Sequence, residues 1–234
     1  MVAEQDVPEI GADGDTARVR VTIDEDAGSQ RLEQRVVRFA QGRSRERAND
    51  DRTEVLYVVS GRGTVLVEGE EHELRPGDGV YVAAGERYTV NSPGPDELVV
   101  ISVTAPAADE PDGRRQVVVR YDDQPTLRAT KARTFRYLVN QEAGCPDVTQ
   151  FVGIIEPSLE GMHSHVYDEV IYVIEGEGAV YFEDWQRPIA AGSCIHLPPY
   201  SMHILENSGA GPMRILGVFH PSGDPASRAA EFPV

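Results

Sequence analysis

Two histidines and a glutamate lie close together in the second half of this 234-residue chain. In the stretch GMHSHVYDEV, His163 and His165 are two residues apart and Glu169 follows four residues later. In an extended strand, residues i, i+2 and i+6 project from the same face, so two imidazoles and a carboxylate can converge on one point. This spacing is typical of a metal-ligand set.

A third imidazole follows in the stretch GSCIHLPPYSMHILEN, which begins at Gly192. His203 stands there after a Pro-Pro pair, which favours an extended connection. Three imidazoles and one carboxylate suit a first-row divalent ion such as Fe, Mn, Ni, Co, Cu or Zn, whereas Ca²⁺ and Mg²⁺ prefer oxygen ligands. The alternative is that these histidines only form hydrogen bonds within the core of the fold.

Three further side chains are candidates to flank such a site, namely His196, Gln150 and Cys194. Cys194 and His196 share one face of the strand predicted after Gly192, and Gln150 lies in the strand candidate VTQFVGII. The alternation of side chains along a strand does not decide whether they face inwards or outwards. If His196 faces the site, it would serve as a general acid or base near neutral pH.

The elements that position these residues are predicted to be strands. Short apolar runs such as RVRVTI, EVLYVVS and TVLVEG recur about every ten residues and are separated by Gly, Pro, Asp and Asn. This pattern favours an all-β fold of antiparallel strands, arranged as a sandwich or barrel.

The chain also contains an internal repeat. EVLYVVSGRGTV, which begins at Glu54, aligns without a gap with EVIYVIEGEGAV, which begins at Glu169. The same register places Gly77 on Gly192 and continues into the apolar strand that follows each glycine. The sequence therefore predicts two copies of one β unit.

Taken together, these motifs resemble those of the cupin superfamily. The residues that carry the first motif are His163, His165, Glu169 and Gly176, and those that carry the second are Gly192, Pro198, His203 and Asn207. One position departs from the pattern, because Tyr200 stands where the family usually has glycine. The resemblance implies one metal ion held by the three histidines and the glutamate.

The resemblance covers both halves of the chain and implies two tandem antiparallel jelly-roll barrels of six to eight strands each. We expect a disordered acidic tail over residues 1–16, an N-terminal barrel over 17–104, a linker over 105–116 and a metal-binding C-terminal barrel over 117–234. The tail and linker predictions depend on acidic residues, Pro, Ala and Gly in segments with few large apolar side chains.

The first copy lacks most of the ligand set. Ala48, Asp50 and Tyr88 occupy the positions of the three imidazoles, and only Glu54 is retained. We interpret this half as a metal-free structural partner, in which Asp50 and Glu54 are a solvated pair more readily than a site for a hard cation.

The overall charge restricts the choice of partners. With 22 basic and 39 acidic residues the net charge is −17, which would repel nucleic acid and anionic membrane surfaces. The arginine run at residues 43–52 is interleaved with acidic residues and is interpreted as an exposed segment in preference to an anion site. The sequence has no apolar run long enough to span a membrane and no secretory signal, so a cytoplasmic location is expected.

The expected function is a metal-dependent reaction on a small chelating organic molecule. An oxygenase of the dioxygenase type is the first hypothesis, because four ligands leave open positions on an octahedral ion for substrate and dioxygen. A redox-neutral isomerase, lyase or decarboxylase is the second hypothesis, and a non-catalytic ligand-binding protein is the third. Whether the chain forms a homodimer is left open.

Overall fold

A computed structural model describes residues 1–107 and 115–232 of the chain. The fold is almost entirely antiparallel β-structure of jelly-roll type, as the sequence predicts. Helical structure in the described residues is limited to 3₁₀ turns at Glu4–Asp6, Tyr121–Asp123 and Gln141–Ala143. None of these turns is long and apolar enough to cross a lipid bilayer.

The strands of residues 1–107 are β1 (Val2–Ala3), β2 (Ile10–Gly11), β3 (Ala17–Ile23), β4 (Glu33–Phe39), β5 (Gly42–Arg43), β6 (Arg47–Ala48), β7 (Arg52–Ser60), β8 (Gly63–Val67), β9 (Glu70–Leu74), β10 (Gly79–Val82), β11 (Arg87–Ser92) and β12 (Leu98–Pro106). The strands of residues 115–232 are β13 (Val118–Val119), β14 (Leu127–Arg128), β15 (Arg133–Tyr137), β16 (Thr149–Ile155), β17 (Met162–Ser164), β18 (Asp168–Glu175), β19 (Glu177–Phe182), β20 (Gln186–Ala190), β21 (Ser193–Leu197), β22 (His203–Asn207), β23 (Met213–His220) and β24 (Ala230–Phe232).

Each half of the fold consists of a seven-stranded and a five-stranded sheet. The N-terminal unit has the order β13-β10-β7-β12-β4-β3-β2 in its large sheet, and its small sheet contains β5, β6, β8, β9 and β11. The C-terminal unit has the orders β1-β21-β18-β23-β16-β15-β14 and β20-β19-β22-β17-β24. Each unit has more strands than the six to eight predicted, because several strands are only two or three residues long.

Side-chain alternation along β7 and β18 separates two kinds of core. Leu56 and Val58 on β7 face into the N-terminal unit, where they pack on the small sheet, and Ile171 and Val173 on β18 do the same in the C-terminal unit. The intervening residues, such as Val55 and Tyr57 or Val170 and Tyr172, form one large cluster that joins the two units. The outer faces of the two large sheets therefore pack against each other.

The N-terminal segment differs from the disordered tail that its composition predicts. β1 forms an edge strand of the C-terminal large sheet by pairing with Ser193 and Cys194. The Glu4 carboxylate accepts a hydrogen bond from the Tyr172 hydroxyl at 3.0 Å and forms an ion pair with Arg38 at 2.6 Å. These partners lie far away in sequence, so local composition does not reveal them.

The beginning of the predicted linker belongs to the N-terminal unit. β12 runs past residue 104 to Pro106, and residues 108–114 lie outside the described part of the chain. β13, which the sequence predicts as part of the C-terminal barrel, pairs with β10 of the N-terminal large sheet. Each large sheet thus gains an edge strand from a segment that the sequence assigned elsewhere.

Candidate metal centre

Three histidines converge between the sheets of the C-terminal unit. His163 on β17 is the register partner of His203, the first residue of β22, and His165 lies just beyond β17. Their ring centroids are 4.6–5.2 Å apart, and one nitrogen from each ring lies within 4.8 Å of the others. Among the described residues, this is the one cluster of three or more His, Cys, Asp or Glu side chains with metal-ligand spacing.

Each imidazole is oriented by a backbone carbonyl. The Nδ1 atoms of His163, His165 and His203 lie 3.3, 2.8 and 2.9 Å from the carbonyl oxygens of residues 161, 227 and 201. A carbonyl oxygen only accepts, so Nδ1 carries the proton in each hydrogen bond and Nε2 keeps its lone pair. Metal-bound histidines usually show this arrangement, with the second nitrogen donating to a carbonyl, a carboxylate or water.

Burial favours the neutral form of all three rings. It lowers the pKa of His163 to about 2, that of His203 to about 3 and that of His165 to about 4. Charge repulsion from Arg133 and Arg228 acts in the same direction. Since only a neutral imidazole binds a metal ion, the rings are ready to bind at neutral pH.

Glu169 projects towards the same space from β18 in the opposite sheet. Its side chain is buried, and burial raises its pKa to about 8 even though Arg133 acts in the opposite direction. The carboxylate lies outside the set of ligand atoms within 4.8 Å of one another. Three neutral imidazoles beside a buried carboxylate fit a divalent transition ion, which would stabilise the ionised form of Glu169.

The histidines and Glu169 line a cavity of about 60 Å³. A cavity of this size holds only a few water molecules or a small ligand. Phe135 and Phe151 form part of its apolar wall, and Arg133 and Arg228 supply positive charge. Arg133 forms an ion pair with Glu160 at 2.7 Å, and Arg228 lies 4.0 Å from the same carboxylate. Two guanidinium groups therefore share one carboxylate beside the cavity.

The three other pocket candidates do not line this cavity. Val170, which faces the inter-unit core, is the register partner of His196, so His196 points towards that core and lies 2.6 Å from Asp168. Cys194 is buried in the same core, and the Gln150 side chain donates to the Leu56 carbonyl oxygen of the other unit at 3.2 Å. Strand alternation places all three on the face opposite to Glu169.

Tyr200, which stands where the family motif usually has glycine, adopts a backbone conformation that favours glycine. Its φ is +61°, in the left-handed region that favours glycine, and its side chain is exposed. Its backbone N–H donates to the His165 carbonyl oxygen at 2.7 Å. The departure from the motif therefore leaves a turn that still contacts one of the three histidines.

The equivalent place in the N-terminal unit has a different chemistry. Glu54 is buried and accepts hydrogen bonds from Tyr88 at 3.0 Å, from Asn49 at 2.7 Å and from Ser102. Asp50 is exposed, whereas Glu54 is buried, so the two carboxylates are not the solvated pair that the sequence predicts. Neither belongs to a group of three or more metal-ligand side chains among the described residues.

Sequence reasoning missed the two arginines and the aromatic wall of the C-terminal cavity. Arg133 and Phe135 are two residues apart on β15 and share the face that lines the cavity, whereas Arg228 comes from the chain after β23. The period of two along RTFRY is the local signal that places Arg133 and Phe135 on one face. No local pattern connected Arg228 to the histidines, because they meet only through the packing of the C-terminal segment.

Comparison with known families supports this architecture. The family model for the Cupin domain matches residues 35–104 and residues 152–219. One match falls in each unit, in agreement with the internal repeat. The second match contains the three histidines and Glu169.

Among curated proteins, the uncharacterized protein MJ1618 of Methanocaldococcus jannaschii is 31% identical over 61 residues, which make up 26% of this chain and 49% of that protein. The matched region thus spans about half the length of that relative. Among solved structures, YlbA from E. coli has a TM-score of 0.78 at 16% identity and covers 95% of this chain and 90% of its own. A variant of the Bacillus subtilis oxalate decarboxylase OxdC has a TM-score of 0.79 at 13% identity, covering 100% of this chain and 78% of its own. At such identities the likeness concerns the fold.

Proposed function

This chain belongs to the cupin family, and from that premise we propose that it is a metal-dependent oxygenase acting on a small chelating carboxylic acid. The observation that carries the proposal is the composition of the C-terminal cavity. Its titratable lining consists of the three histidines, Glu169 and two arginines, and the rest of the described lining is apolar or weakly polar. The site therefore combines metal ligands, positive charge and an apolar wall.

In this proposal, His163, His165, His203 and Glu169 hold one divalent transition ion. When bound, such an ion supplies Lewis acidity and, if it is redox-capable, electron transfer to dioxygen. The identity of the ion is left to measurement.

The arginines and the aromatic wall select and orient the substrate. Arg133 and Arg228 share the Glu160 carboxylate, so their combined charge still attracts a carboxylate of the substrate. Phe135 and Phe151 exclude water from the remaining space. The small volume of the cavity favours a compact acid.

The oxygenase hypothesis is favoured over a proton-transfer reaction by the position of His196. This histidine was the expected proton carrier, but it faces the inter-unit core and is bound to Asp168. If Glu169 is a metal ligand, the described lining offers no other group with a pKa suited to general acid or base catalysis.

The test is oxygen uptake by the full chain, purified without a metal-chelating tag and loaded with Fe²⁺ under argon. A panel of small hydroxy, keto and dicarboxylic acids is then supplied with air. We expect oxygen consumption with at least one acid, no consumption with the Zn²⁺ form, and loss of activity in His163→Ala. His72→Ala, a histidine substitution in the N-terminal unit, is the matched control and retains activity. Turnover of that acid by the Zn²⁺ form under argon would contradict an oxygenase.

A redox-neutral decarboxylase or lyase is the second candidate, because of Glu169. Its carboxylate lies outside the tight histidine cluster, and burial raises its pKa to about 8. Without coordination it would transfer protons near neutral pH. In that case Glu169→Gln would retain the metal and lose turnover, whereas an oxygenase with Glu169 as ligand would lose metal as well. Metal analysis of this variant separates the two.

A further inference from the structure

The N-terminal unit has a cavity of its own beside Glu54, the counterpart of Glu169. Its volume is about 360 Å³, against about 60 Å³ for the cavity beside the histidines. Ala48 and Tyr88, which align with His163 and His203 of the C-terminal unit, both line it. Ala48, which stands where the C-terminal unit has His163, leaves space beside Glu54.

At the inner end of this cavity, the Glu54 carboxylate can accept one further hydrogen bond. Glu54 receives donors from Tyr88 and Ser102 on Oε1 and from Asn49 on Oε2. A carboxylate has about four lone-pair sites, so Oε2 can accept one more hydrogen bond. Three neutral donors stabilise the buried negative charge without a metal ion.

The positive charge of the cavity comes from two guanidinium groups. Arg35 lies on the same face of β4 as Val37 and Phe39, and all three residues line the cavity. Arg47 comes from β6 in the opposite sheet and lies 5.6 Å from the centre of the Phe39 ring. Both side chains are partly exposed, with 32% and 24% of their surface accessible.

Each guanidinium has N–H donors that its ion pair does not use. Arg35 is paired with Glu33, and Arg47 is paired with Asp15 at 2.9 Å. A guanidinium has five N–H donors, and each of these ion pairs occupies a small part of that capacity. The remaining acidic lining residue, Glu46, is exposed and lies 3.3 Å from Arg87.

We propose that this cavity binds a small aliphatic amino or hydroxy acid. Its carboxylate pairs with Arg35 and Arg47, its ammonium or hydroxyl group donates to Glu54, and its aliphatic body packs on the apolar wall. The described residues of that wall are Val19, Val37, Phe39, Leu56 and Val100. An ammonium group is the better match for Glu54, because carboxylates outnumber guanidinium groups in and beside the cavity. The carboxylates are those of Asp15, Glu33, Glu46 and Glu54, and the guanidinium groups are those of Arg35, Arg47 and Arg87.

With such a ligand, the N-terminal unit would be a binding unit as well as a structural partner. Binding of this ligand does not depend on the proposed oxygenase function, since it uses residues of the other unit. A negative result for one of the two proposals therefore leaves the other unaffected.

Isothermal titration calorimetry tests the proposal with the full chain after removal of metal by EDTA and again with His163→Ala, which excludes chelation at the C-terminal site. The probes are L-leucine and L-2-hydroxy-4-methylpentanoate, with 4-methylpentanoate and 3-methylbutylamine as analogues lacking one polar group. We expect one L-leucine or hydroxy acid bound per chain, and at least tenfold weaker binding of both analogues. L-leucine binding tighter than that of the hydroxy acid is the expected order.

Variants assign the binding to this cavity. Arg47→Gln should weaken binding at least tenfold, and Arg35→Gln should do the same, whereas Arg43→Gln on the exposed strand β5 should leave it unchanged. Thermal denaturation of each variant establishes that it is folded. Binding of neither L-leucine nor the hydroxy acid, or binding that persists in folded Arg35→Gln and Arg47→Gln proteins, would overturn the proposal.

Discussion

The two units place a buried glutamate at the same point of one fold and satisfy it in different ways. Glu54 receives three neutral hydrogen-bond donors, whereas Glu169 faces three imidazoles that present lone pairs. Neutral donors stabilise a carboxylate by themselves, and lone pairs require a cation between them and the carboxylate. The N-terminal unit therefore satisfies its buried carboxylate with its own donors, whereas the C-terminal unit places acceptors around a carboxylate and so favours a bound cation.

A second difference lies beside each glutamate. The internal repeat places Ser102 where Gly217 stands, and Ser102 donates to Glu54. A Cβ atom at Gly217 would lie 2.3 Å from the Phe151 ring and 3.1 Å from the Glu169 carboxylate. Glycine therefore leaves room for the aromatic wall and the carboxylate of the C-terminal cavity.

The largest expected effect comes from removing one imidazole. His163→Ala should lower metal affinity at least about tenfold, since the loss of even an outer-shell partner usually costs that much. Metal analysis of the wild-type chain should give about one ion, and His72→Ala should match it. Two ions per chain would show that the N-terminal unit also binds metal and would remove the contrast between the units.

The second largest effect should be the pH dependence of the free energy of unfolding of the metal-stripped protein. The folded-state pKa values of His163, His165 and His203 lie below the free value, so the unfolded chain binds more protons below pH 6.5. The free energy of unfolding then falls as pH decreases, by up to about 1.4 kcal/mol per pH unit for each group.

Glu169 changes the free energy of unfolding with pH in the opposite direction, because its folded pKa of about 8 lies above the unfolded value. Its contribution is lost as pH rises through 8 and is regained towards pH 4.5. The stripped protein should therefore be most stable near pH 6.5, as measured by urea denaturation at several pH values. A flat profile between pH 5 and 8 would contradict the buried neutral imidazoles.

Gly217→Ser makes the C-terminal unit resemble the N-terminal one. The added side chain has to displace Phe151 or Glu169, which should cost about 1–3 kcal/mol of stability and weaken metal binding. Gly211→Ser is the matched control, because a Cβ atom there meets nothing within 4 Å. Equal stability and metal content in both variants would show that the space beside Glu169 is unimportant.

The smallest effect concerns the turn before His203. Tyr200→Gly removes a side chain from a left-handed backbone position and should raise the free energy of unfolding by up to about 1 kcal/mol. Thermal denaturation of the stripped protein measures this change. A lower melting temperature would indicate that the Tyr200 side chain makes a stabilising contribution that outweighs the backbone strain.

The local pattern was sufficient wherever the physical signal was itself local. The apolar runs, the aligned segments of the repeat and the glycines that end the neighbouring strands predicted the strands and the repeat, and the motif around His163 predicted the converging histidines. The expectation of one extended strand carrying His163, His165 and Glu169 on a single face was wrong, because β17 and β18 belong to opposite sheets that face each other across the cavity. The prediction of strands was confirmed because side-chain alternation and turn residues act within a few residues. Glu169 as a fourth ligand remains a prediction.

Tertiary structure alone decided which face each strand turns to the metal cavity and which segments complete each sheet. His196 and Gln150 alternate with cavity residues, and only the packing of the two large sheets shows that they belong to the inter-unit core. β1 reaches the C-terminal unit from the other end of the chain, and Arg228 reaches the histidines from the segment between β23 and β24. Such contacts depend on the free energy gained when surfaces that are distant in sequence pack together. A local sequence pattern does not identify the distant partner.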